Sequence, residues 1–410
     1  GMAMGGAGTI DVVVRERSRI WYTRSTDGGL TFEAERAFDS VLPPGQRSVE
    51  DCPVVAIAND GSVLVAFWDR YGSNRIYLVR STDGGVTFTL AFQADLNASG
   101  RAVWPRLGVA RGTDTLLLGV VRPDQQLLVW RSPDNGATFG APATIVATAS
   151  CPSASGNAAG YEARFAHTSA GHWLVAWDDV RSAGTDLTLT DIYGRVSVDD
   201  GASWGAEQRI DRYPPGGTGS RLMPAVVSTG ADDLFVAYLD RRDGGGTEWN
   251  VYANRSKAVP GDFSKNERRV DEDSSTDNLF GYSDYNAAAV TTDGADHVYV
   301  VFDRVVSGLW PDIFVAPSAD RGHTFPAVRR VSTSDGTEDC VDPQVSAYPD
   351  GTVYVAFLIK RPTETQLVFS RSRDFGETWL AAHKVAASAA TWDLAWGTFR
   401  LVTLPGGTVY

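Results

Sequence analysis

The chain has 410 residues, 43% of them hydrophobic, and carries 50 Asp and Glu against 37 Lys and Arg, for a net charge of −13. That charge argues against a nucleic-acid partner, whose phosphates demand a basic surface, and no apolar run is long enough to span a membrane. Three cysteines, an odd number in no zinc-like spacing, give no metal site, and no cofactor is expected.

In chain order, residues 1–8 read as a lead outside the fold, with Gly1-Met2 a vector-derived scar behind which a leader has been removed. Val12–Val14 and Ile20–Ser25 then read as outer strands. They are followed by Ser25-Thr-Asp27-Gly-Gly-Leu-Thr31-Phe32, the first copy of a pattern Ser-x-Asp-x-Gly-x-Thr-aromatic. Further copies are centred on Asp83, Asp134, Asp199, Asp320 and Asp374, with Ser203 in the Thr place of one and Trp in the aromatic place of two. The spacing is about 50–65 residues, as for one four-stranded propeller blade. One double interval, between Asp199 and Asp320, places a decayed copy near Arg255-Ser256, and the stretch Lys257–Asn278 reads as an exposed loop.

Each copy, here termed a box, is preceded by a strand of the type Ile-Tyr-x-x-Arg-Ser, seven in all from Ile20–Ser25 to Leu367–Ser372. Upstream lies an apolar strand such as Val63-Leu-Val-Ala-Phe-Trp68 or Val353-Tyr-Val-Ala-Phe357, rich in β-branched and aromatic residues. Further upstream is a smaller-residue strand opened by proline: Pro53, Pro105, Pro224 and Pro343. Small residues suit an innermost strand, and proline at a first residue forfeits no ladder bond. The expected fold is all-β: a seven-bladed β-propeller with four antiparallel strands per blade, forming one domain over 1–410. Its last blade is expected to be closed by the N-terminal strands together with Thr398–Leu404.

The box resembles the Asp-box, or BNR, repeat of sialidases and many other β-propellers, and the resemblance extends over essentially the whole chain. In that family the box is the hairpin between a blade's third and fourth strands. The chemistry agrees, since Gly supplies positive φ and Asp accepts turn N–H groups. The six box aspartates are therefore read as structural.

Ligand sites then fall on the opposite end of the blades, at the starts of inner strands and the loops after second strands. Asp-Arg sequences recur there, as in Asp69-Arg70, Asp240-Arg241-Arg242 and Asp303-Arg304, and repetition around the ring points to loop-pinning. Residues found in single blades are the better candidates: Trp104 with Arg106, Tyr161 with Glu162 and Arg164, Arg221, and Tyr282 with Tyr285. Sialidase chemistry uses three arginines on a carboxylate, a tyrosine nucleophile activated by a glutamate, and an aspartic acid. The resemblance implies Tyr282, Glu162 and Asp51 in the catalytic places and Arg106, Arg164, Arg221, Trp104, Tyr161 and Tyr285 around the sugar. Gly281-Tyr282-Ser283 is similar to the family's Tyr-Ser, and Arg221-Leu-Met-Pro224 to its Arg-Ile-Pro with one residue inserted.

Seven blades depart from the six of sialidase catalytic domains. A carboxylate pair drawn from Glu50/Asp51 and Asp339/Asp342 would also serve a glycosidase. His167 is read as a structural histidine in preference to a lyase base. Cys52 and Cys340, in matching Glu-Asp-Cys contexts at equivalent blade positions, are read as free thiols. Two readings stand: an exo-acting glycosidase resembling sialidases, or a non-catalytic glycan- or protein-binding propeller. The partner expected in the first is a saccharide, and the location expected from the family is secreted or periplasmic.

Overall fold

The computed structural model describes residues 2–4, 9–16, 19–27, 31–38, 41–42, 50–69, 75–96, 105–110, 112–122, 126–147, 163–179, 190–212, 221–230, 232–242, 249–259, 261–271, 288–305, 310–333, 337–388, 403–404 and 408–409. They form seven four-stranded antiparallel sheets, the blades of a β-propeller. Blade 1 is β1 (Met2–Met4), β2 (Ile10–Glu16), β3 (Arg19–Ser25) and β4 (Arg36–Ala37). Blade 2 is β5 (Glu50–Ile57), β6 (Val63–Asp69), β7 (Arg75–Ser81) and β8 (Thr89–Asp95). Blade 3 is β9 (Arg106–Val109), β10 (Leu116–Val121), β11 (Leu127–Ser132) and β12 (Ala143–Val146). Blade 4 is β13 (Arg164–His167), β14 (Trp173–Asp179), β15 (Asp191–Ser197) and β16 (Gln208–Arg209). Blade 5 is β17 (Arg221–Thr229), β18 (Asp233–Asp240), β19 (Asn250–Lys257) and β20 (Arg268–Arg269). Blade 6 is β21 (Ala289–Thr292), β22 (Val298–Arg304), β23 (Asp312–Ser318) and β24 (Arg329–Arg330). Blade 7 is β25 (Asp339–Ala347), β26 (Val353–Lys360), β27 (Thr365–Ser372) and β28 (His383–Ser388). A hairpin of β29 (Thr403–Leu404) and β30 (Thr408–Val409) follows.

The chain clusters into two compact units, Gly1–Val175 with Arg195–Ala206 and Tyr410, and Ala176–Gly194 with Glu207–Val409.

Two expectations are corrected here. Within blade 1, Met2–Met4 occupies the first-strand place, pairing Met2 with Val12 and Met4 with Ile10. The N-terminal segment thus completes its own blade and is not wholly a lead. Most of the expected closing strand, 398–402, lies outside the described residues, while Thr403–Leu404 pairs with Thr408–Val409. The second correction concerns Lys257–Asn278. It contains β20, the fourth strand of blade 5, with Arg268 opposite Ala253 and Arg269 opposite Tyr252.

Second strands are apolar at nearly every position because sheets cover both of their faces. All seven residues of β6 are buried. Ala66, Trp68, Leu78, Leu116 and Leu118 share one core between blades 2 and 3, and Phe235, Val251, Val300 and Phe314 share another between blades 5 and 6. First strands hold small residues where neighbouring sheets approach closely. At Gly108 of β9 an added Cβ would lie 2.9 Å from the Trp173 ring and 3.0 Å from Phe165 Cβ, which leaves little room for a larger side chain.

The boxes lie between third and fourth strands, as the sequence leads one to expect. In blade 3, Ser132 Oγ donates to Asp134 Oδ1 (2.8 Å), which also accepts the Thr138 N–H (2.8 Å), while Thr138 Oγ1 donates to Asp134 Oδ2 (2.6 Å). Blades 1, 2, 4, 6 and 7 repeat this arrangement about Asp27, Asp83, Asp199, Asp320 and Asp374. These bonds stabilise the charged carboxylate, so Asp27 and Asp374 titrate at about 2. The residue after the Asp is left-handed, at φ 55° in Asn135, and so is the box glycine, at 81° in Gly136.

The arginine before each box serine has a role that the repeat alone did not reveal. Arg80 Nε donates to the carbonyl of Asn135 (3.0 Å), and Arg131 Nε to that of Asp200 (2.7 Å). Arg24 reaches the equivalent Gly84 carbonyl from Nη1, its Nε being given to Asp11 Oδ1 (2.8 Å). Each of these arginines ties its blade to the following blade's box. In blade 5 the decayed box is replaced by asparagines: Asn254 Nδ2 donates to the Phe263 carbonyl (2.7 Å) and Asn266 Nδ2 to the Arg255 carbonyl (3.0 Å). The second bond stands in for the backbone donation from Gly140 to Arg131 in blade 3.

At the opposite end, arginines clamp third strand to fourth. Arg209 bonds Asp191 (2.6 Å) and Asp211 (2.7 Å); Arg269 bonds Asn250 (2.6 Å) and Asp271 (2.8 Å); Arg330 pairs with Asp312.

Gly136→Ala should test the box packing. The new Cβ would fall 2.1 Å from Leu64 Cδ2 at a positive φ, so a loss of about 2–3 kcal/mol is expected in denaturant unfolding. Unchanged stability would contradict the packing.

Candidate functional site

The end of each blade away from the boxes is built by first-strand starts and second-strand ends. Three first strands are bulged there. Their registers slip between Asp51 and Val54, between Leu222 and Ala225, and between Val341 and Gln344. The residue at each slip is left-handed, Cys52 at φ 52°, Met223 at 58° and Asp342 at 58°, and each precedes a proline. Pro53, Pro224 and Pro343 therefore sit inside bulges, three residues into their strands in β5 and β17 and four in β25, and do not open them. There too the missing N–H forfeits no ladder bond, and the bulge redirects the preceding side chain.

This register revises the pairing of the cysteines. Cys52 is the bulge residue of blade 2 and corresponds to Asp342, whereas Cys340 pairs with Ile359 two residues earlier. The two occupy different blade positions. Neither is in a disulfide; Cys340 is buried and Cys52 half-buried, and Cys151 lies outside the described residues.

Several of the recurring charges at this end are consumed locally. Arg242 donates from Nε to Asp240 Oδ2 (2.8 Å) and from Nη1 to Glu267 Oε2 (2.7 Å), with its guanidinium 4.0 Å from the Tyr252 ring centre. Arg361 bonds Glu338 (2.7 Å) and Glu364 (3.3 Å). Arg304 lies over Phe314, 4.4 Å from its centroid. These groups pin loops.

Blade 7 differs. Asp339 and Lys360 face each other across β25 and β26, and Asp342 stands in the bulge three residues on. The Asp342 side chain is only 4% exposed, and its Oδ2 accepts no hydrogen bond among the described residues; the Lys360 ammonium is 3.9 Å away. Burial pushes its carboxyl up to about 6, with the Asp339 charge adding to the rise against the pull of Lys360. Burial also raises Asp339, which keeps partial exposure. Two carboxyls with raised proton affinity beside one ammonium can hold and release a proton near neutrality.

Of the sequence-derived candidates, Asp51, Arg106 and Arg164 stand at or next to the starts of β5, β9 and β13, which are neighbouring first strands. The Arg106 and Arg164 side chains are half-buried. Arg221 begins β17. Of Asp51 and Arg221 the backbone alone is described. Trp104, Tyr161, Glu162, Tyr282 and Tyr285 lie outside the described residues. His167 ends β13 at the box side, its Nε2 3.7 Å from Asp200 and its ring 4.6 Å from that of Trp173, which fits a structural histidine. The sequence carried one signal for the blade 7 pair that the register makes plain: Asp342-Pro343 matches Cys52-Pro53 and Met223-Pro224, yet alone places an acid in the bulge.

No family model matches the chain, and no curated protein matches it. Solved structures do. The polysaccharide lyase Uly1 aligns with TM-score 0.53 at 11% identity, over 91% of this chain and 89% of that one. An ulvan lyase of a new polysaccharide lyase family, solved bound to -[GlcA(1-4)Rha3S]-, aligns with TM-score 0.51 at 10% identity, over 94% and 82%. A Hadza microbial sialidase aligns with TM-score 0.43 at 16% identity, over 75% and 63%. The first two likenesses establish the propeller fold.

The Asp342 carboxyl gives a stability prediction with a definite sign. Its folded pKa, about 6, lies above the unfolded value near 4, so it favours the fold as pH falls from 6 to 4 and disfavours it above 6. Asp342→Asn should therefore gain about 1–3 kcal/mol over wild type at pH 8, and the gain should vanish by pH 4. Denaturant unfolding at the two pH values measures it; a pH-independent difference would contradict the assignment.

Proposed function

We propose that this chain is a carbohydrate-active propeller, a glycoside hydrolase working at the end of the blades opposite the boxes. The observation that carries the reading is the Asp339–Asp342 pair at the start of a bulged first strand, with Asp342 buried 3.9 Å from the Lys360 ammonium and both carboxyls raised by burial. Displaced proton affinity of this kind is what general acid catalysis on a glycosidic oxygen requires. Asp339, the more exposed of the two, is the proton donor; Asp342 is the positioning residue that shares its proton. The acid protonates the leaving oxygen as the bond to the anomeric carbon breaks. Water then adds its hydroxyl to that carbon and returns a proton to the carboxylate. Arg221, at a first-strand start of the same compact unit, and Tyr285 are the sequence-derived candidates to serve the sugar. Within this proposal the sialidase-like set of Tyr282, Glu162 and Asp51 is the competing constellation for the same end of the fold.

A binding propeller without turnover is the second reading. It is favoured by the burial of Asp342, since a catalytic acid must reach its substrate.

A panel of sialosides, neutral glycosides and acidic oligosaccharides separates these readings. Hydrolysis by the wild type, lost about 100-fold or more in Asp339→Asn with binding retained, is the expected result. Asp342→Asn should instead shift the pH profile of turnover. Loss in Glu162→Gln with full activity in Asp339→Asn would transfer catalysis to the sialidase-like set. Glycan binding without turnover across the panel would leave the binding propeller.

A further inference from the structure

In blade 5, two arginines stand without the partners that their counterparts in other blades hold among the described residues. Arg255 holds the place that Arg80 and Arg131 hold in blades 2 and 3, where the guanidinium Nε donates to a neighbouring box carbonyl. Among the described residues Arg255 Nε is buried with no hydrogen-bond partner, and so is Arg268 Nε. Arg268 stands opposite Ala253, and strand alternation puts Arg255, two residues along, on the same sheet face. The pair are diagonal neighbours within reach of one small ligand.

The carboxylates that act on Arg255 electrostatically are Asp233 and Asp320. Asp233 is held by Lys257 at 2.8 Å, and Asp320 spends both oxygens on its own box. After burial, repulsion from Arg268 further lowers the proton affinity of Arg255. Blade 6 supplies the contrast. Arg329 stands opposite Val315 as Arg268 stands opposite Ala253, and Arg329 is neutralised by Glu377 at 2.8 Å. Glu377 is the third residue after box Asp374; the third after Asp320 is His323. An imidazole thus occupies the position where the next blade has the neutralising carboxylate.

We propose that Arg255 and Arg268 form an oxyanion site at the box end of blade 5, taking a sulfate or carboxylate group, free or carried on a sugar, in two guanidinium forks. The site is independent of the hydrolytic reading, because it lies at the other end of the blade.

The test is thermal unfolding and calorimetric titration of the full chain with sodium sulfate against sodium chloride at matched ionic strength. Sulfate stabilises proteins generally, so the specific effect is the difference between wild type and variant. The expected result is saturable sulfate binding by the wild type, weakened about tenfold or more in Arg268→Gln and in Arg255→Gln, and unchanged in Arg329→Gln. Arg268→Lys, which keeps the charge and loses the fork, should weaken it by less and covers the case in which Arg255→Gln does not fold. A monosulfated disaccharide binding more tightly than inorganic sulfate would identify a sugar-borne anion, and equal binding a free ion. No saturable sulfate binding, or binding unchanged in both glutamine variants, would overturn the proposal.

Discussion

The architecture depends on one carboxylate doing the same work six times. Each box aspartate accepts a serine hydroxyl, a backbone N–H and a threonine or serine hydroxyl. That closes a turn with two consecutive left-handed residues, Asn135 and Gly136 in blade 3. The closed turn presents a carbonyl to which the preceding blade's arginine donates, and a glycine face against which that blade's core packs, as Gly136 does on Leu64. The box is therefore less a decoration of the hairpin than the joint between consecutive sheets. Net hydrogen-bond energies are small, but these bonds also fix where large apolar strands meet.

That division of labour leaves the opposite end of the blades free for chemistry. Arginine clamps tie third strands to fourth there, and second-strand arginines fold back on their own loops. Among the described residues, the left-handed non-glycine positions outside the boxes all fall in the three bulged first strands. Proline follows a left-handed residue in each, an arrangement that would be costly unless the surrounding sheet enforced it. In blade 7 the bulge residue is an acid, and its environment gives it an unusual proton affinity. The same scaffold that stiffens the ring at the boxes supplies a redirected carboxyl at the other end.

Second and third strands were legible in the sequence within about three residues, because burial on both faces writes a continuous apolar run and the box marks where each third strand ends. Short strands were not. Met2–Met4 is three residues with glycines after it and carries no period to read. β20 is two arginines that become a strand only by pairing with Tyr252 and Ala253. The cysteine alignment failed because Glu-Asp-Cys recurs by sequence while the bulge sets position by register. Arg24, Arg80 and Arg131 were visible as part of the repeat, but their role spans more than 50 residues and is invisible to any local pattern. Much of the candidate site fell on first-strand approaches such as 151–162 and 272–287, outside the described residues. There, spacing relative to the box named candidates and could not bring them together.

The central proposal is that glycoside hydrolysis belongs to the end of the blades away from the boxes. A crystal structure of the protein soaked with an oligosaccharide that it hydrolyses or binds tests this most directly. The account predicts a sugar ring within hydrogen-bond reach of Asp339, at the start of its first strand. A sugar seated against Asp83, Asp134 or their counterparts, with the first-strand starts left empty, would contradict it.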